Sequence, residues 1–168
     1  ASTPVKGLFG IAHTRWATHG EPNDLNAHPH IDEDGTVALV HNGIIENYVT
    51  LKAALQAEGH VFRTQTDTEI LAHLIEKHLK RGLKLAQAVG AALRSVEGTY
   101  GIACMTSREP GVIVGARHGS PLVVGIADGE FYLASDVAAI VEHTRQVIYL
   151  DDGEMAVLTP DGFHTATI

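Results

Sequence analysis

Around residue 98 the chain changes character, and that change limits the fold more than any other feature. Before it, apolar residues recur at helical spacing in three consecutive stretches. Leu51, Ala54 and Leu55 mark a helix from about Glu46, closed by Gly59. Ile70, Leu71, Leu74, Ile75 and Leu79 mark a second, ended by Gly82, and Leu85, Ala88, Val89, Ala92 and Leu93 a third. After it come short strand-like runs at 99–105, 112–116, 122–126, 130–134, 147–150 and 154–158. Helices in one block and strands in another predict an α+β layered fold, since a doubly wound sheet needs them to alternate. Two further apolar runs, 7–13 and 36–41, read as buried strands. Residues 14–35 between them have no period, and a long irregular stretch inside a compact domain is usually functional or disordered.

No repeat or linker divides the 168 residues, so one domain is expected. An apolar fraction of 45% excludes a disordered chain, and no apolar run is long enough to span a bilayer. The formal net charge of −8 argues against nucleic acid as a partner, because such a field repels phosphate backbones. The lone cysteine, Cys104, cannot form an internal disulfide and sits in an apolar run, where it reads as a small buried hydrophobe rather than a nucleophile. With no signal pattern at the start, a cytoplasmic protein is expected.

Three segments stand out: Ala12-His13-Thr14-Arg15-Trp16-Ala17-Thr18-His19-Gly20, His41-Asn42-Gly43-Ile44-Ile45-Glu46-Asn47 and Thr66-Asp67-Thr68-Glu69. Asn-Gly after a strand is a strong hairpin-turn signal. The same pair can form an oxyanion hole, with the Asn amide and the Gly N–H aimed at a tetrahedral oxygen. Thr66 and Glu69 have the spacing of a capping box, and Asp67 then lies in the first helical turn, where the dipole favours an anion. Arg15 and Trp16 alone could be a surface cation–π pair. Taken together, an arginine fork for a carboxylate and an aspartate for an ammonium suit a free α-amino acid. Eleven histidines raise a metal reading, with His28 and His30 on one face of an extended segment and His13, His19 or His41 as third ligand. No recognised metal spacing occurs, and no metal or organic cofactor is expected.

These segments, with Asn26-Ala27-His28-Pro29-His30, Gly119-Ser120-Pro121-Leu122 and Ala134-Ser135-Asp136, resemble the class II glutamine amidotransferase family, in the wording of the glutaminase domain of glutamine–fructose-6-phosphate aminotransferases. The resemblance covers nearly the whole chain. It implies a four-layer αββα sandwich of the N-terminal-nucleophile hydrolase type. It also implies that Asn42 and Gly43 form the oxyanion hole, that Arg15 clamps the glutamine α-carboxylate and that Asp67 accepts its α-ammonium. Trp16, Thr18 and His19 would belong to a loop folding over the substrate. Glutamine is the implied substrate, ammonia for making glucosamine 6-phosphate from fructose 6-phosphate the product, and a sugar-isomerase domain of the same parent chain the partner. A homodimer is left open, and neither nucleic acid nor membrane is implied.

One departure matters. The family's nucleophile is an N-terminal cysteine whose own α-amine takes the proton, and this sequence begins with Ala1. Residues 1–168 are therefore expected to be a partial type-2 amidotransferase domain, truncated at its start and lacking the C-terminal sugar-isomerase domains. As an isolated chain it is expected to be inactive. The rival readings are a glutamine-binding or assembly module that turns over nothing, and a His-rich metal hydrolase.

Overall fold

The computed structural model describes residues 7–15 and 20–168. Its elements are β1 (His30–Ile31), β2 (Val37–Ile45), α1 (Tyr48–Ala57), α2 (Glu69–Lys80), α3 (Leu85–Leu93), β3 (Gly98–Thr106), β4 (Ile113–His118), β5 (Val123–Ala127), β6 (Glu130–Ala134), β7 (Gln146–Tyr149), β8 (Glu154–Thr159) and β9 (Gly162–Thr167). Helices and strands fall in the two blocks expected. The larger sheet has the order β1-β2-β3-β4-β8-β9 and the smaller β6-β5-β7, both antiparallel throughout.

Strand alternation gives the larger sheet two buried faces. Val37, Leu39, Ile102, Cys104, Val114, Ala116 and Val157 face the helices and form one core with Leu71, Ile75, Val89 and their neighbours. Ala156 and Leu158 face the smaller sheet and pack with Leu122, Val124 and Leu150. The described residues thus build three layers, helix on sheet on sheet, and the three α-helices all contribute to the first core. The fourth layer of the αββα expectation is not among them.

Two predicted elements differ. Residues 7–13 form no strand among the described residues, and Leu8 is 99% exposed; an apolar run becomes a strand only where a neighbour completes its ladder. Strand β2 runs on to Ile45 instead of ending at His41, so Asn42-Gly43 is not a turn. Both members are paired with β3, Asn42 opposite Gly101 and Gly43 opposite Tyr100. Strand β9 has no counterpart in the predicted runs: it is mostly exposed and lacks the apolar alternation that would announce it.

Candidate functional site

The alternation of β2 also separates the chemistry of neighbouring residues. Val40 and Asn42 line a cleft of about 520 Å³ between the two sheets, together with Gly101, Ala103 and the 10–14 segment. At its polar part, Asn42 Oδ1 lies 2.7 Å from His13 Nε2. With Nε2–H donating and Oδ1 accepting, the donor half of the Asn42 amide is left for the cleft. Gly43 is held at φ +132°, and a Cβ there would run into the Thr99 carbonyl oxygen. Glycine is thus a steric requirement at this position, and the hairpin explanation is replaced by a strand pairing too close for a side chain.

His41, on the opposite face of the strand, turns toward the start of α2. Its Nε2 meets the Thr99 carbonyl at 3.3 Å and its Nδ1 the Thr68 hydroxyl at 2.9 Å. A carbonyl can only accept, so the proton sits on Nε2 and Nδ1 accepts from Thr68. Burial lowers the His41 pKa, the nearby Asp67 partly opposing. Asp67 itself is 3% exposed, and its Oδ2 accepts from the Ile45 N–H at 2.8 Å. The carboxylate thereby joins the end of β2 to the loop before α2.

The capping box is not formed. α2 begins at Glu69 with Thr68 as N-cap and no side-chain cap. Glu69 instead accepts from Arg63 N–H, Thr64 N–H and Thr64 Oγ1 at 2.7–2.8 Å, and the Thr66 hydroxyl meets His30 Nε2 at 3.1 Å. The Thr66 and Glu69 side chains are drawn into holding the 63–66 loop, a tertiary demand that outweighs the local cap. Burial opposes ionisation of Glu69, but the His73 imidazole facing it and the hydrogen bonds from Arg63 and Thr64 prevail and bring it to about 2.

Arg15 donates from Nη1 to the Glu21 carbonyl at 3.0 Å and from Nη2 to the Gly20 carbonyl at 3.1 Å. The buried Asn26 links that segment to the Asp67 loop: its Nδ2 donates to the Glu21 carbonyl and to Gln65 Oε1, and its Oδ1 accepts from Gln65 N–H. Trp16, Thr18 and His19 lie outside the described residues. Of the residues that fix this geometry, Asn26 has no individual role predicted from the sequence, and His13 figures there only as a possible metal ligand. Their signal was their place inside the conspicuous segments.

The histidines weighed as metal ligands have other partners. His13 stacks on His28 with ring centroids 4.3 Å apart, and His28 meets the edge of His30 at 4.7 Å. His28 Nδ1 accepts from the His41 backbone N–H at 3.3 Å. Burial, reinforced for His28 by its neighbouring histidines, depresses His28 to about 3 and His30 to about 4, so both rings are neutral at pH 7. Cys104 is fully buried among the apolar side chains of β3, and burial pushes its thiol up, away from nucleophilic use. Among the described residues, no helix is long and apolar enough to cross a membrane.

Comparison with known proteins places the chain in a family. The family described as "Glutamine amidotransferase domain" matches residues 3–164. Glutamine–fructose-6-phosphate aminotransferase (isomerizing) of Methanothermobacter thermautotrophicus is 59% identical over 157 residues, which are 94% of this chain and 27% of that protein. The enzyme of the same name from Chlorobaculum tepidum is 60% identical over 161 residues, 95% of this chain and 26% of its own. The chain thus spans about a quarter of the length of these relatives. Among solved structures, one titled the allosteric regulatory enzyme of purine biosynthesis aligns with a TM-score of 0.78 at 28% identity, covering 92% of this chain and 34% of that one. Glutamine phosphoribosylpyrophosphate amidotransferase from B. subtilis, complexed with ADP and GMP, gives 0.74 at the same identity and coverage. The layered N-terminal-nucleophile fold expected from the sequence accordingly holds. With nearly its full length matched, the chain belongs to the glutamine amidotransferase domain family.

Proposed function

We propose that this domain hydrolyses glutamine to glutamate and ammonia, and that within a longer polypeptide the ammonia serves conversion of fructose 6-phosphate to glucosamine 6-phosphate. The observation that carries the chemistry is the Asn42 amide, held by His13 with its donors left for the cleft. An amide so fixed suits the oxygen that becomes negative when a thiolate adds to the glutamine carboxamide. Collapse of that intermediate, with the proton taken from the thiol returned to the leaving nitrogen, breaks the C–N bond, releases ammonia and leaves a thioester that water hydrolyses to glutamate and the free thiol. The names and identities of the relatives support the amino-sugar destination.

In this reading Asn42 and Gly43 supply the oxyanion hole, Arg15 receives the α-carboxylate and Asp67 the α-ammonium. Trp16, Thr18 and His19 close over the substrate. The nucleophile cannot be Cys104, whose thiol is buried and hard to ionise. The test uses the full-length protein. Asn42→Ala should lower kcat for glutamate release by ~100–1000-fold while changing KM much less, since an oxyanion donor acts chiefly in the transition state. Arg15→Lys should chiefly raise KM, because a point charge cannot reproduce the planar fork. Near-normal kcat in Asn42→Ala would remove the proposal's main support.

A further inference from the structure

On the helical layer, His60, His73 and Glu76 bring three metal-ligating atoms within 4.8 Å of one another. His73 and Glu76 are three residues apart on α2, and His60 comes from the loop after α1. We propose that these three side chains form a site for one divalent ion of the zinc class, tying the loop after α1 to α2.

The geometry is close to what such an ion needs. Glu76 Oε2 lies 3.6 Å from His60 Nδ1 and 3.8 Å from His73 Nδ1. Bond lengths of 2.0–2.2 Å in a tetrahedron place ligand atoms ~3.3 Å apart, so each imidazole nitrogen must come a few tenths of an ångström nearer Glu76 Oε2, and the two imidazoles must close to that spacing from within 4.8 Å of each other. As the site stands, the separations are too long for hydrogen bonds. Both nitrogens of His73 and Glu76 Oε2 are buried without a hydrogen-bond partner. Orphaned polar atoms at this depth are costly, and a cation bound to them would remove the cost.

The surroundings fit a ligand set. The far nitrogen of His73, Nε2, faces Glu69 Oε1 at 3.6 Å, where a carboxylate would orient a metal-bound imidazole. Glu76 Oε1 is engaged by Lys80 Nζ at 2.7 Å, and Lys80 also meets Asp34 Oδ2 at 3.0 Å. The ammonium therefore lies on the oxygen the ion would not use, and its half-exposed side chain can turn away. The His60 side chain, 12% exposed, provides the route in from solvent. Two imidazoles and one carboxylate select zinc, cobalt, nickel or copper over magnesium or calcium, and leave a fourth position for water.

Protein stripped with a chelator and then titrated with Co²⁺ should develop visible ligand-field bands of tetrahedral type. The bands should saturate at one equivalent and be displaced by Zn²⁺. Zn²⁺ should raise the thermal midpoint in a concentration-dependent way, because it binds the folded chain selectively. His60→Ala, at the most accessible ligand, should weaken Zn²⁺ binding by at least ~100-fold, and Glu69→Gln by ~10–100-fold. Glu76→Gln should abolish the bands, with circular dichroism used to establish that the variant is folded. Absence of bands at millimolar Co²⁺, or bands and midpoint shifts unchanged in folded His60→Ala, would overturn the proposal; the second result would place the ion on other histidines.

Discussion

At Gly43 the constraint is steric and reaches the chemistry directly. A methyl group at φ +132° would meet the Thr99 carbonyl and approach His41 Nε2, so neither the backbone nor the neighbour can relax cheaply. Gly43→Ala should therefore destabilise the domain by about 2–4 kcal/mol, read as a drop in the urea midpoint at unchanged slope. His13 acts differently, through the amide it holds. His13→Ala should lower kcat for glutamate release by ~10–100-fold with little change in KM, a smaller loss than removal of the Asn42 donor itself. His13→Gln, which retains a donor, should recover part of it. A uniform rise in KM in both variants would show instead that His13 shapes substrate binding. The residue types at this site were legible in the sequence, because Asn, Gly, Arg and Asp are the side chains that amide chemistry on an amino acid requires. Their partners were not, since the pairing of Asn42 with His13 spans 29 residues and depends on the strand register.

At the level of elements, helices were read more accurately than strand ends. The 3.6-residue pattern of Ile70, Leu71, Leu74, Ile75 and Leu79 reports a face buried against one sheet, and α2 does cover β1 and β2. The Thr66–Glu69 pair satisfied a local rule but serves a tertiary one, because Glu69 has three donors waiting in the 63–64 backbone and side chain. The turn joining β1 to β2 depends on a similar device. Asp32, 2% exposed, accepts from Thr36 N–H, Val37 N–H and Thr36 Oγ1 at 2.6–2.8 Å. Asp32→Ala leaves those donors unmatched at a buried turn and should cost about 2–4 kcal/mol, while Asp32→Asn, which keeps one acceptor, should cost less. Equal losses for the two variants would mean that packing, and not hydrogen bonding, carries the role of Asp32.

Across the whole molecule, His28, His30, His41 and Glu69 make stability depend on pH in one direction. His28 and His30 titrate near 3 and 4 in the folded chain, against 6.5 when unfolded, and burial shifts His41 the same way. Below pH 6.5 the unfolded chain therefore takes up protons that the folded chain refuses, and stability falls as the pH drops. Glu69 joins lower down. Its folded value of about 2 lies under the unfolded 4.5, so the stability it contributes is present above 4.5 and lost as the pH falls toward 2. Urea midpoints measured in the presence of a chelator, so that no bound ion contributes, should be level above pH 7 and decline from about 6.5 downward. His30→Gln removes one titrating ring yet retains a polar partner for the Thr66 hydroxyl. It should therefore flatten the decline between pH 6.5 and 4.5, where Glu69 is still silent, and leave the steeper loss below 4.5 in place. A wild-type profile level down to pH 4.5 would mean that these rings take up protons in the folded state as readily as in water, and that the neutral histidine cluster behind Asn42 is not maintained.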